Sequence, residues 1–420
     1  MPALSSSPIV AALIESDTVL DEVVADVGVE RAALSLLDAL AEVPDPRCAR
    51  GVRHGVLAVL LVSACAVLAG ARSFVAIAEY AHDTGHAVLS LLGIGATAPH
   101  ESTIRRLLQQ LDPSAVEAAL SSWAAAQLAA RTAVAGTPDR ERRRVWALDG
   151  KTVRGARDGD GDGDGGGGGG GGDRQVHLVS VLDQTSGAVL AQVAVDAKSG
   201  ELAAVPDLLA GLDLHEVLLT ADALHTQRSH ARHVRDRGGH YLMTVKANQP
   251  TLLARLRALP WDQIGPAARE RARGHGRVET RTISVVSLHP CPDLGGEFFP
   301  HAMQAIKLVR RRRPLRSGGR WRTVTVYAIT SLTAFQADPV LLARWIRGHW
   351  SIENQLHWVR DVSFDEDRSQ VRTGHGPQVM AALRNLAITA LRLSGITNIA
   401  AALRHHARDV LRPLATYKIT

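Results

Sequence analysis

Three carboxylates stand where the surrounding sequence can hold them over one cleft. Asp149 follows the apolar run Val145–Leu148, Asp222 closes the run Val217–Ala221, and Glu353 lies in RGHWSIENQLHW, which reads as a helix over Arg347–Arg360. An acid at the C-terminal end of a strand can face a cleft while the strand stays buried, and a packed helix can supply a third. Such an all-oxygen set suits two Mg²⁺ ions, with Mn²⁺ as a substitute. Two ions roughly 3.5–4 Å apart activate a water or a 3′-hydroxyl and stabilise the leaving oxygen of a phosphodiester. Taken singly, each acid also reads as a strand cap or one half of an ion pair. His349, Glu353 and His357, spaced i, i+4, i+8, offer zinc as a rival. Ligands four apart on a single helix do not enclose one ion, however, and no HExxH is present.

The elements that must position these acids follow from periodicity. Residues 15–43 read as an amphipathic helix and 45–135 as helical throughout, so that 1–140 form an all-helical N-terminal domain. Within it, HESTIRRLL starts a helix with Ser102 and Thr103 as caps and Arg105 and Arg106 in its first turns, placed as a groove-reading helix would place them. From Val145 the pattern turns β-branched: Val145–Leu148, His177–Leu182 and Val189–Val195 read as strands. Helix Glu201–Leu212, strand Val217–Thr220, helix Thr226–Arg237 and strand Tyr241–Lys246 follow. Three strands, helix, strand, helix, strand is the element order of an α/β, ribonuclease H-like core. A β-rich insertion at 273–332, with runs Val278–Val286, Gln304–Val309 and Arg322–Ile329, interrupts that core. Arg310–Arg313, Arg316 and Gly318-Gly319 fall where a basic hairpin tip would lie. Helices resume from Asp338. The catalytic domain spans 141–395, with a helical tail at 396–420.

Composition narrows the classes. Hydrophobic residues at 46% provide for a real core, and a mean hydropathy of zero excludes disordered and fibrous classes. The net charge of +6 hides an asymmetry, because residues 1–46 carry nine acids and one base. A basic body behind an acidic leader points to a polyanionic partner. Three scattered cysteines (Cys48, Cys65, Cys291) exclude a disulfide framework and Cys-rich zinc modules, and fit a reducing cytoplasm. There is no signal-peptide pattern. Gly55–Gly70 is apolar but shorter than the roughly 18–20 residues of a span, so it reads as a buried helix and no membrane is expected. The run 158–173, DGDGDGDGGGGGGGGD, reads as a flexible loop. As a calcium loop starting at Asp158 it would need a bidentate acid at position twelve, which is Gly169.

Taken together, ALDGKTVRG, KSGELAAVPDLL, TADALHTQ, GGHYLMTVKANQP, GHGRVETR and RGHWSIENQLHWVRDVSFDED resemble, in this order, the DDE transposases of bacterial insertion sequences, and most of all their H-repeat-associated branch. The stretch DPRCARGVRHGVLAVLLVSACAVLAGARSFVAIAEYA, followed by HESTIRRLL, resembles the domain that accompanies this core. The resemblance covers about residues 40–395. It implies a ribonuclease H-like fold with a β-rich insertion before the glutamate, and it places the family's acids on Asp149, Asp222 and Glu353. Related transposases carry tyrosine, arginine, glutamate and a basic residue in a wider signature. Arg360 fits the basic position, whereas His349 and Ile346 replace the arginine and the tyrosine.

Lys151, Arg154 and Lys246 lie close to the acid-bearing segments and can neutralise a phosphate. Seven arginines between Arg310 and Arg322, interleaved with Trp321, suit sequence-blind backbone contact, Arg310, Arg311, Arg312 and Arg313 above all. His349, Asn354, His357 and Arg360 border Glu353 and are expected to meet DNA. The reading is therefore a metal-dependent transposase that cuts the ends of its element in double-stranded DNA and joins 3′-hydroxyls to a target. It would act as a homo-oligomer on DNA, in the cytoplasm and at the nucleoid. A nuclease of the same fold that does not join, and a DNA-binding relic without catalysis, are the alternatives.

Overall fold

The computed structural model describes residues 34–134, 143–157, 175–195, 200–274, 276–288, 298–315 and 319–419. Most of the leader helix at 15–43, the Gly/Asp run at 158–173, Cys291, Arg316 and Gly318 lie outside them.

Helices come first: α1 (Leu36–Ala41), α2 (Val56–Leu68), α3 (Phe74–Asp83), α4 (His86–Leu91), α5 (Glu101–Gln110) and α6 (Pro113–Val134). Next are β1 (Val145–Arg157), β2 (Gln175–Asp183), β3 (Val189–Val195), α7 (Glu201–Ala210), β4 (Leu218–Ala221), α8 (Arg228–Asp236), β5 (His240–Val245), α9 (Pro250–Ala258) and α10 (Trp261–Ile264). Four further strands, β6 (Ala268–Gly274), β7 (Arg277–Ser287), β8 (Gln304–Pro314) and β9 (Arg322–Thr330), precede α11 (Pro339–Gly348), a π-helical turn (Glu353–His357), α12 (Trp358–Val362), α13 (Gly376–Leu393), α14 (Ile399–His406) and α15 (Leu411–Tyr417).

The apolar stretch suspected of crossing a membrane is α2. It is apolar all round and buried from Ala58 to Leu68, in contact with α1, α3, α13 and α15. Its one hydroxyl, Ser63, donates to the Val59 carbonyl at 2.7 Å and so needs no outside partner. No helix among the described residues is long and apolar enough to cross a membrane. The helix with Arg105 is capped by His100, whose Nδ1 accepts from the Ser102 N–H at 3.2 Å, and not by Ser102 or Thr103. Arg105 pairs with Glu101 at 3.0 Å, one turn back.

The nine strands of the described residues form one sheet in the order β3-β2-β1-β4-β5-β9-β8-β7-β6. β3, β2 and β1 are antiparallel, and β4 and β5 run parallel to β1, which is the ribonuclease H-like core. The β-rich insertion extends the core sheet: β9 pairs antiparallel with β5, from Leu242↔Thr330 to Val245↔Tyr327, and β8, β7 and β6 continue the same sheet outward. Sequence periodicity misses β6, ARERARG, because nearly all of its residues are exposed and no apolar face marks it.

On one face of the sheet Val145, Leu218, Leu242, Ile283 and Ile306 pack with Leu341, Leu342 and Trp345 of α11. Pro339 starts α11, and the Asp338 carboxylate accepts the N–H groups of Val340 and Leu341 at 2.8 and 2.9 Å, a complete N-cap. By strand alternation Asp149 shares a face with Val145, and Asp222 with Leu218. The helix that packs on this face therefore leads straight to Glu353.

Candidate active site

Register places the first two acids together. In the parallel ladder Leu148 is opposite Ala221, so Asp149 and Asp222 are the next residues on neighbouring chain segments. Asp222 ends its strand as expected. Asp149 does not: β1 runs on to Arg157, paired with β2 alone once β4 has stopped. The end of β4 opens the space that Asp149 faces.

Glu353 arrives from the opposite wall. The expected helix over Arg347–Arg360 is broken: α11 stops at Gly348, and Glu353–His357 form a π-helical turn, a local widening frequent at functional sites. A Cβ on Gly348 would meet Gln184 Oε1, so the glycine leaves room for the Gln184 side chain to lie against the helix end. Gln184 donates to Thr220 Oγ1 at 2.8 Å, and the same oxygen lies 3.1 Å from His349 Nδ1. Asp149, Asp222 and Glu353 line one cleft of about 720 Å³, with Lys246, Arg310 and Trp350 among its other walls.

The tightest group is Asp149, Glu353 and His357, each with one ligand atom within 4.8 Å of the others. His357 Nδ1 is 3.1 Å from Glu353 Oε2 and 3.8 Å from Asp149 Oδ2. Asp222 stands outside this group, its Oδ1 accepting the Leu224 and His225 N–H groups at 2.8 and 3.4 Å. Burial raises the pKa of Asp149, opposed by the charge of His357, while the neighbouring Asp222 pushes it further up. The hydrogen bond from His357 lowers that of Glu353 against a smaller desolvation. Burial brings His349 down to about 4, so it stands neutral beside Asp222. Two crowded carboxylates, one of them held up by burial, form a donor set that a hard divalent cation would relieve. Among the described residues zinc gains no support, because His349 is turned to Thr220 and does not join His357 and Glu353.

Several expected DNA-contacting residues are placed otherwise. Arg360 is fully buried: its Nε and Nη2 reach Glu366 at 2.9 and 2.8 Å and its Nη1 donates to Gln192 at 2.7 Å, which leaves nothing for a phosphate. Lys151 is buried with its Nζ 2.5 Å from Asp361, directed to that carboxylate and not to the cleft. His357 is buried between the acids, where it serves them and not a DNA surface. Arg154, Lys246 and Asn354 are exposed. The four arginines do not form one hairpin tip; they lie along β8, where alternation divides them. Arg310 faces the acidic cleft, 3.8 Å from Glu279, and Arg312 shares its side. Arg311 and Arg313 face the other way and stack over Trp321 at 5.2 and 5.0 Å.

Periodicity missed a buried group beside the aspartates: Glu201, His177 and His225. Its one signal was position, since Glu201 and His225 fall inside KSGELAAVPDLL and TADALHTQ.

A ribonuclease H-like sheet with an aspartate on β1, another at the end of β4 and a glutamate from the facing helical wall is consistent with the class of the DDE transposases. Residues 140–390 match the family described as "Transposase DDE domain", and 37–124 match the family described as "DDE_Tnp_1-associated". The chain belongs to this DDE transposase family. It is 30% identical over 365 residues to "Putative transposase YncI" of Escherichia coli O157:H7, covering 85% of this chain and 87% of that one. It is 26% identical over 371 residues to "H repeat-associated putative transposase YhhI" of Escherichia coli strain K12, covering 85% and 90%. A piggyBac transposase synaptic complex with hairpin DNA, solved by cryo-EM, aligns with a TM-score of 0.37 and 8% identity over 87% of this chain and 72% of that one.

Proposed function

We propose that this transposase cleaves double-stranded DNA at the ends of its own mobile element and joins the 3′-hydroxyls to target DNA, with Asp149, Asp222 and Glu353 as its acid triad. The observation that carries the reading is the convergence of these acids, far apart in sequence, on one cleft walled by cations. Asp149 and Glu353 would hold a divalent ion between them, and Asp222, with Asp149, a second. Bound there, Mg²⁺, or Mn²⁺ in its place, supplies activation of the attacking oxygen and stabilisation of the leaving one. His357 holds Glu353 and Asp149 in register. Lys246, exposed on the cleft wall, meets a phosphate oxygen. The exposed arginines of the sheet extension hold the DNA backbone without reading sequence. Because two element ends must be processed, a homo-oligomer assembles on DNA. The chain works in the cytoplasm, at the nucleoid.

The test is incubation of purified protein with Mg²⁺ and a plasmid carrying the element's ends. Nicks at those ends together with strand-transfer products support the reading. Nicks without joining indicate a nuclease, and binding without nicks a catalytically silent relic.

A further inference from the structure

Next to the two aspartates lies a buried charged cluster that the acid triad does not use. Glu201 opens α7 and is only 2% exposed. Its Oε1 meets Nε2 of His177 on β2, and its Oε2 lies 3.5 Å from Nε2 of His225, in the turn that follows Asp222. The other nitrogen of His177, Nδ1, is 2.9 Å from Thr152 Oγ1 on β1. Gly150, the residue after Asp149, is glycine for a local reason: a Cβ there would stand 2.7 Å from Glu201 Cδ and Oε1 and from His177 Nε2.

Both aspartates are supported by backbone groups that this cluster touches. The Gly150 N–H favours the ionised form of Asp149, and the His225 N–H reaches Asp222 Oδ1 at 3.4 Å. Glu201 packs on Gly150 with one oxygen and reaches the ring of His225 with the other. A single carboxylate thus spans the two chain segments that carry the acids. Burying a carboxylate and two imidazoles is costly, and apolar side chains of similar volume would fill the space at least as stably. That leaves geometry as the reason for the charge. The arrangement matches the outer partners that orient ligands around a metal, with Glu201 acting through backbone and not by ligation.

We propose that Glu201, through His177, His225 and the close packing on Gly150, is a positioning residue that sets the separation of Asp149 and Asp222 and so their joint hold on a divalent ion. The inference rests on the acid-triad reading above.

The experiment measures Mn²⁺ binding to the full-length protein without DNA, by electron paramagnetic resonance, together with kcat and KM for nicking. Glu201→Gln keeps the shape and removes the charge. Its Mn²⁺ affinity should fall by about 10–100-fold and kcat should fall with it, while KM for DNA stays unchanged. Glu201→Asp, which restores the charge with a shorter reach, should recover part of both. A folded Glu201→Gln with wild-type Mn²⁺ affinity and kcat overturns the proposal. If Glu201→Gln does not fold, His225→Gln decides: it leaves the Glu201–His177 contact in place, the same loss of Mn²⁺ affinity is expected, and wild-type affinity overturns the proposal. Asp149→Asn and Glu353→Gln are run in parallel. Their retaining activity brings down the triad itself, whereas their losing it beside a wild-type Glu201→Gln brings down the positioning role alone.

Discussion

Glu353 and His357 share one π-helical turn, with His357 Nδ1 3.1 Å from Glu353 Oε2. The imidazole lies between the carboxylate and Asp149, and its hydrogen bond lowers the pKa of Glu353 against the opposing effect of burial, which favours the charged form facing the cleft.

That relationship makes Glu353→Gln the sharpest test of the chemistry. The amide keeps the size and a contact to His357 but loses the charge that a hard divalent ion needs. Nicking of element ends should fall by roughly 10³-fold or more, as expected when several kcal/mol of charge stabilisation is removed. Duplex affinity, proposed to rest on arginines and lysines, should stay or tighten. Near-wild-type nicking would remove Glu353 from the triad.

A second prediction uses the division of the β8 arginines. Arg310 is tied to Glu279, whereas Arg311 and Arg313 stand on the opposite face over Trp321. If that face holds DNA backbone, Arg311→Ser with Arg313→Ser should weaken binding to all sequences alike. The slope of log K against log salt should lessen by about 1.8, near 0.9 for each phosphate no longer neutralised. Filter-binding titrations at several salt concentrations measure it, and an unchanged slope means this face does not meet DNA.

Arg360 belongs to stability. It and Arg384 clamp Glu366, each with an N–O distance of 2.8 Å, and all three are buried. Arg360→Met leaves Glu366 half-paired in the interior, which should cost about 3–5 kcal/mol in urea unfolding. Duplex affinity of the folded fraction should not change. Weaker DNA binding at unchanged stability would return Arg360 to the DNA surface.

Glu117 on α6 predicts a pH effect. Desolvation, against a hydrogen bond from Gln192 and the charge of Arg360, pushes its pKa from an ordinary 4.5 up to about 8. The folded chain then holds a proton that the unfolded chain releases, so stability is greatest below the unfolded value and declines as pH rises toward 8. Glu366 acts in the other direction: burial raises its pKa, but the charges of Arg360 and Arg384 together outweigh that and take it to about 2, so its contribution is lost only in acid. Glu117→Gln should flatten the decline of Tm between pH 5 and 8 and raise Tm at pH 8. Parallel slopes for the two proteins would contradict the assignment.

How far the sequence could be read depends on how each element is held. β4 was plain because VLLTA is apolar and buried on both faces, and α11 because Asp338-Pro339 marks its start. The acids stood out because each follows or joins such an element. β6 was hidden because its order comes from pairing with β7 and not from an apolar face. The continuation of β1 past Asp149 was hidden in GKTVRG, whose glycine suggests a turn until the close approach of Glu201 explains it. Arg360 looked like a surface cation because charge alone does not reveal a partner six residues on, itself shared with Arg384 of α13. The π-helical turn leaves no periodic trace at all.

The helix α2 also bears on how the chain is made. It leaves the ribosome before α13 and α15, apolar on every side, yet those helices form part of its cover, and Tyr417 reaches its Ala64 carbonyl at 3.3 Å. At about 5–20 residues per second, the helix waits on the order of 15–60 s before those partners are synthesised. During that interval it is a natural client for chaperones. A chain ending before α13 keeps the contacts of α2 with α1 and α3 but leaves bare the part of this apolar helix that α13 and α15 cover.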